Sequence, residues 1–351
     1  MSSAEHLIRH EELQKFCVNL LVAAGLPAAK AAFAVETLVA ANLRGVDSHG
    51  VQLLMYYLEQ LDRRDVDPRT DGRVVSESGA CLLYDGQNGM GQSVAAICCD
   101  HAVRLARNSG LGLVVARDSS HFGAAAFWGQ RIAAANMIGI VMCNASPIVP
   151  PWQGKQGRLG TNPICMCVPA GEQPTWLLDM ATTTVAAGKI LKASLSGDKT
   201  IPAGWAMDVD GVPTTDTGIA IEHLLLSPLG GYKGSGLAMM VEILCGVLGG
   251  GALAMEIGTL RTPGPMRPTQ FFLAIDIQRY IPLADFRARM DRVIRDVKSA
   301  APAEGYSEVL VAGEPEERME QERRRNGIPL AQGTWDKLAE AAGKLGVAVP
   351  E

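Results

Sequence analysis

The chain has 351 residues, 48% of them hydrophobic and 20% charged, and 32 basic against 37 acidic side chains leave a net charge of −5, which excludes disorder, collagen and coiled coil. A chain of this size buries roughly 75% of the surface its unfolded state exposes, enough for about two domains. Nucleic acid is excluded as a partner, because the densest basic run, Arg323-Arg324-Arg325, follows Glu316, Glu317, Glu320 and Glu322 and reads as a solvated mixed-charge face. In chain order, Leu13, Phe16, Leu20 and Leu21 share one helical face, Pro27 opens an Ala-rich helix running toward Arg44, and a third helix is expected from His49 to Arg63. Short apolar runs then predict strands at Cys81-Leu-Leu-Tyr84, Gly112-Leu-Val-Val115, Ile138-Gly-Ile-Val-Met142, Trp176-Leu-Leu178 and Phe271-Phe-Leu-Ala-Ile275, with a helix between the first two from Gln92 to Arg107. Helical spacing returns from Pro282 to Val297 and from Trp335 to Leu345. Strands alternating with helices make the class α/β, with a helical domain contributed by both chain ends: residues 1–75, an α/β domain over 76–280, and residues 281–351.

The longest apolar run, Leu237 to Met255, carries Glu242 and the triplet Gly249-Gly250-Gly251, so it reads as a buried helix and not a membrane span. The start, Met-Ser-Ser-Ala-Glu-His, has no apolar segment of the signal-peptide kind. Eight cysteines without a Cys-x-x-Cys pattern read as reduced core residues, so a cytoplasmic location is expected. His6 and His10 stand at i, i+4 spacing, which would place them on one helix face, but no third ligand is near, and no metal site is expected.

A Gly-x-Gly-x-x-Gly turn after a strand is absent, as is a Walker A sequence, so any dinucleotide binds outside the usual Rossmann turn. Five polar islands remain. Arg44-Gly-Val-Asp47-Ser48-His49-Gly50 is a turn feeding a helix, either a capping pair beside a surface histidine or a site with His49 near the helix's positive end. Asp118-Ser-Ser-His121-Phe122-Gly123 follows a strand's carboxyl end, where α/β proteins place ligands, though a cap with a satisfied histidine would look the same. Gly160-Thr161-Asn162-Pro163 is a tight turn, structural or ligand-contacting. Asp179-Met180-Ala181-Thr182-Thr183-Thr184 ends a strand in an acid and three hydroxyls, suiting ribose or phosphate, or a helix cap. Gly230-Gly231-Tyr232-Lys233-Gly234-Ser235-Gly236 runs into an apolar helix and is either an anion cradle or a flexible entry loop.

At these islands, and at Gly313-Glu314-Pro315, the sequence resembles the type-2 malate/L-lactate dehydrogenases, non-Rossmann NAD(P)-dependent oxidoreductases that include ureidoglycolate and sulfolactate dehydrogenases and the piperideine/pyrroline-2-carboxylate reductases. The resemblance implies a mainly helical domain beside an α/β domain of unusual topology, a homodimer, NAD or NADP as cofactor, and a small 2-oxo or 2-hydroxy acid as substrate, with a cyclic ketimine as the alternative. Carried over residue by residue, it makes His49 the proton donor, with Ser48 bonded to it in a relay. His121 begins a loop, continued by Phe122 and Gly123, that flanks the nicotinamide, and in some members this histidine is the acid/base. Thr161 and Tyr57 would face the substrate, and Asp179, Met180, Ala181, Lys233, Gly313 and Glu314 would hold the dinucleotide. Many members carry an arginine four residues after the histidine, and Leu53 stands there instead. One helical turn beyond His49, Leu53 should share its face, so either Arg44 takes the carboxylate or the substrate presents an apolar group.

Overall fold

The computed structural model describes residues 5–195, 197–260 and 262–350. Strand β1 (Glu5–Ile8) precedes helices α1 (His10–Ala23) and α2 (Ala28–Leu43). Residues 47–53, expected to begin a third helix, form two separate 3₁₀ turns, and α3 starts only at Leu54 (Leu54–Asp62). The break lies at Gly50, whose backbone is extended (φ −88°, ψ −158°).

Next come the exposed edge strand β2 (Arg73–Ser78), β3 (Cys81–Asp85), α4 (Gly91–Ser109), β4 (Leu111–Arg117), α5 (Ala125–Ala133), β5 (Met137–Cys143), β6 (Ile164–Val168) and β7 (Trp176–Met180). A smaller region follows with α6 (Ala187–Leu195), short strands β8 (Ala206–Met207) and β9 (Pro213–Thr214), α7 (Thr217–His223), β10 (Leu225–Leu226) and α8 (Tyr232–Glu242). The chain then returns as β11 (Gln270–Asp276), α9 (Leu283–Lys298), α10 (Glu314–Asn326), β12 (Ile328–Ala331) and α11 (Gln332–Leu345).

The main sheet has seven strands in the order β2-β3-β4-β11-β5-β6-β7. Only β3 and β4 pair in parallel; β11 inserts antiparallel between β4 and β5, which are thereby separated. This is not a doubly wound parallel sheet, and it has no switch point of the Rossmann kind. Helices α4 and α5 bury one face through Val94, Cys98, Ala102, Trp128 and Ile132 against Val114, Val141 and Phe272. Strands β4 and β5 show the alternation this requires, buried on the helix side and partly exposed on the other.

A second cluster joins residues from both ends of the chain. Leu13, Phe16, Leu20, Leu38 and Leu54 pack with Ile328, Leu330, Trp335 and Leu338, and β1 pairs with β12 antiparallel. His6 lies on β1 and stacks on Trp335 at 3.7 Å between ring centroids, so it shares no helix face with His10. Among the described residues no group of three possible metal ligands occurs, and no helix is long and apolar enough to cross a membrane.

One expectation needs correction. The apolar run from Leu237 is not a buried helix: α8 passes at Ile243 into a π-helical turn that ends at Val247, and Met239, Ile243, Val247, Leu248 and Met255 are exposed. Only its other side, Ala238, Val241 and Cys245, is buried.

Candidate active site

The islands, spread between Arg44 and Gly236, are brought together pairwise. Tyr57 of α3 reaches the loop after β4, its hydroxyl 2.7 Å from His121 Nδ1, and the rings of His49 and His121 lie nearly parallel at 5.9 Å. Asp179, at the end of β7, accepts the Ala126 amide of α5 at 2.8 Å. Thr182 donates both its amide and its hydroxyl to the Thr161 carbonyl, each at 2.9 Å. The Leu229 amide in turn donates to the Thr182 carbonyl at 3.0 Å, which sets the Gly230–Gly236 loop beside that turn.

The turn that carries Ser48 and His49 is splinted from two sides. Asn42 of α2, wholly buried, accepts the Val51 amide at 2.8 Å and donates to Asp47 at 2.6 Å. A Cβ on Gly50 would lie 2.3 Å from the Asn42 amide oxygen, so glycine is needed there for close approach. From α10, Arg323 donates to both carboxylate oxygens of Asp47, at 2.7 and 3.1 Å, and to the Asn42 carbonyl. Arg323 is thus not part of a solvated charge face, and Asp47 serves this fork instead of capping a helix. Neither splint was visible in the sequence. Asn42 was a polar residue inside an apolar helix, and Arg323 hid in a charge run 276 positions from its partner.

The second histidine is held as firmly. Gln270 of the inserted strand β11 donates to the Ser119 hydroxyl and the Ser120 carbonyl, at 2.9 and 3.0 Å. The helix α4 begins so close beneath that a Cβ on Gly91 would lie 2.3 Å from the His121 carbonyl. The Gly123 amide donates to His121 Nδ1 at 3.3 Å, and the Phe122 carbonyl accepts from Trp128 at 3.0 Å. Ser48 Oγ stands 3.0 Å from His49 Nδ1. Among the described residues no hydrogen bond reaches Nε2 of either ring.

Burial disfavours charge on both rings. It holds His49 below the ordinary histidine value, and burial together with the neighbouring His49 lowers His121 to about 3. Burial raises the Tyr57 hydroxyl well above the usual phenol range, so it keeps its proton.

Beside this pair opens a cleft of about 400 Å³ between α2, β7 and the residues before α10. Its walls are apolar at Ala40, Ala124 and Val311 and polar at Thr37, Asp179 and Glu316, the mixture a nucleotide base and its ribose require. Asp179 is exposed to solvent at the end of β7, where its carboxylate accepts the Ala126 amide. Gly313 also lines the cleft, whereas the Glu314 carboxylate is taken up by Lys298 and Arg318, which hold its ionisation low although burial opposes them. Lys233 is exposed on the first turn of α8 with no ion pair among the described residues; Met180 and Ala181, at the end of β7, are partly buried.

Leu53 lies on the second 3₁₀ turn and is buried with the helical cluster. Arg44 lines the nucleotide-sized cleft and pairs with Glu320 at 3.3 Å.

Comparison with known proteins shows the family. The family model for malate/L-lactate dehydrogenase matches residues 8–339. The L-sulfolactate dehydrogenase of Methanocaldococcus jannaschii is 34% identical over 351 residues, covering 98% of this chain and 99% of that protein. The malate dehydrogenase of Pyrococcus horikoshii is 36% identical over 344 residues, 96% of this chain and 95% of that one. Its solved structure superposes with a TM-score of 0.91 at 32% identity, covering 99% and 97% of the two chains. The Δ1-piperideine-2-carboxylate reductase structure from Pseudomonas syringae gives a TM-score of 0.84 at 27% identity, covering 96% and 100%.

Proposed function

The chain belongs to the malate/L-lactate dehydrogenase family and is a dehydrogenase, and from that premise we propose that it interconverts small 2-oxo and 2-hydroxy acids with His49 as the proton donor. The observation that carries the reading is the pair of half-buried, nearly parallel imidazoles, with no hydrogen bond at either Nε2 among the described residues, whose chain neighbours Val46 and Ala124 line a cleft of about 400 Å³. Thr37, Asp179 and Glu316 would hold the nucleotide of NAD or NADP in that cleft, and the cofactor, when bound, would supply or accept the hydride. The protein's part is to hold the carbonyl carbon against the nicotinamide and to deliver a proton to the oxygen on which charge develops. His49 does so from Nε2 while Ser48 Oγ stays hydrogen-bonded to Nδ1 in both protonation states.

The pH dependence follows in sign. Burial lowers the His49 ionisation, so reduction, which needs the protonated ring, declines as pH rises through a midpoint below the ordinary histidine value, and oxidation, which needs the neutral ring, rises through it. Absorbance at 340 nm with NADH and NADPH, against pyruvate, oxaloacetate and a cyclic imine, tests the assignment. His49→Ala should lose ~10²–10⁴-fold in turnover with dinucleotide affinity retained. Full turnover in that variant would remove His49 from the proton step.

A second reading, cyclic ketimine reduction, is favoured by the apolar Leu53 where many members have an arginine, and by the likeness to the piperideine-2-carboxylate reductase. We further propose a cytoplasmic homodimer. Eight unpaired cysteines suit a reducing compartment, and the exposed Met239, Ile243, Val247, Leu248 and Met255 form an apolar patch that a second copy would cover.

A further inference from the structure

We propose that His121 acts as a neutral hydrogen-bond donor through Nε2, polarising and orienting the substrate carbonyl, and takes no part in proton transfer. The proposal rests on the dehydrogenase reading above. It starts from a property of the neutral ring: one nitrogen carries a hydrogen and the other a lone pair, and the partners of one decide the state of both. The Gly123 backbone amide points at Nδ1 from 3.3 Å, and an amide N–H only donates, so Nδ1 must hold the lone pair. The Tyr57 hydroxyl, 2.7 Å from the same nitrogen, therefore donates as well. Two donors on Nδ1 leave the ring hydrogen on Nε2.

Protonating Nδ1 would set an N–H against the Gly123 N–H and reverse the Tyr57 bond. It would also place a positive charge beside a second histidine ring 5.9 Å away. The titratable groups facing His121 are His49 on the preceding turn and Tyr57 on α3, and neither supplies a negative charge that would favour imidazolium. The low ionisation of His121 is consistent with this. A neutral ring with its hydrogen on Nε2 has no lone pair there to accept a proton, and giving that hydrogen up would leave an imidazolate. It can only donate a hydrogen bond, as a neutral electrophile does.

His49 differs in one atom type. Its Nδ1 faces a hydroxyl, which accepts from Nδ1–H equally well before and after Nε2 gives up its proton. In reduction the carbonyl carbon takes the hydride, its π electron pair moves to oxygen, the His49 Nε2 proton bonds to that oxygen, and the His121 N–H remains on nitrogen throughout.

The test has two arms. In protein labelled with ¹⁵N-histidine, two-bond ¹H–¹⁵N correlation should show His121 with a protonated Nε2 and an unprotonated Nδ1, unchanged from pH 8 to pH 5. Tyr57→Phe should leave that pattern in place, because Gly123 remains. A hydrogen on Nδ1, or titration of His121 within that range, overturns the proposal. In the kinetic arm, His121→Gln should cost about 10²–10³-fold in kcat, the usual effect of removing one polarising donor, while the ionisation governing the pH profile persists; His49→Gln should abolish that ionisation. Loss of the ionisation in His121→Gln would assign proton transfer to His121. Failure of the dehydrogenase reading would appear separately, as no turnover on any substrate, and the spectra would still decide the tautomer.

Discussion

Replacing Arg323 by alanine isolates what the carboxyl-terminal helix does for the active site. The change deletes a fork onto both oxygens of Asp47 and a bond to the Asn42 carbonyl. Hydrogen bonds to charged groups contribute about 1.5–3 kcal/mol each when buried. Here the Asp47 side chain is 43% exposed and can be rehydrated, and the buried Arg323 Nε already lacks a partner, so the sum shrinks. A loss of about 2 kcal/mol is expected, lowering the thermal midpoint by roughly 3 °C. Turnover should suffer more than stability. With Asp47 released, the Ser48-His49 turn is held only by Asn42, and a displacement of about 1 Å at a reacting group costs up to ~10²-fold. Steady-state kinetics should therefore show kcat/KM down about 10–100-fold with dinucleotide affinity unchanged. Arg324→Ala is the control, since that side chain is 50% exposed and meets Glu320 one helical turn away and His10 Nε2 at 3.4 Å, neither of them in the Ser48-His49 turn; it should change stability by less than about 0.5 kcal/mol. Identical behaviour of the two variants in both assays would refute the splint.

Gly50→Ala should destabilise by about 2–4 kcal/mol in chemical denaturation and abolish most turnover, because the added methyl displaces the Asn42 amide from Val51 and Asp47; a variant of unchanged stability would mean that the turn accommodates a side chain. Lys233→Ala should raise the dinucleotide dissociation constant with little change in kcat at saturation, as expected for a contact made equally in ground and transition states; titration giving equal constants would make the α8 entry loop purely structural. Val247→Glu, on the exposed side of the π turn, should convert a dimer to monomer in sedimentation, and a dimer that survives it would place the interface elsewhere.

What the sequence revealed was local. The apolar runs of β4, β5 and β11 were legible because each is a short stretch bounded by turn residues. Strand β2 was not, since all six of its residues are exposed. Strand direction and order were also hidden: the antiparallel insertion of Gln270–Asp276 between β4 and β5 depends on pairings more than 120 positions apart, which leave no periodic trace. At the site, the polar islands stood out from an apolar background, and the structure brings them together. The helix expected from His49 begins only at Leu54, because residues 47–53 form two 3₁₀ turns about the extended Gly50, held by Asn42. The exposure of Val247 and Leu248 was misread because an apolar run looks the same whether a neighbouring element or a second chain covers it.

The pairing of the molecule's first strand with Ile328–Ala331, and the completion of the amino-terminal core by Trp335 and Leu338, bear on how the protein is made. During synthesis residues 10–62 emerge ahead of their partners, and their helices have no finished core until some 270 further residues have followed. Contacts of such separation close slowly, because the loop entropy is spent before the contact forms. The nascent helices thus spend most of translation with Leu38, Leu54 and their neighbours uncovered, a state prone to association and suited to chaperone capture. Arg323 arrives in the same late segment, so a ribosome-bound chain holds both histidines long before it holds them in place.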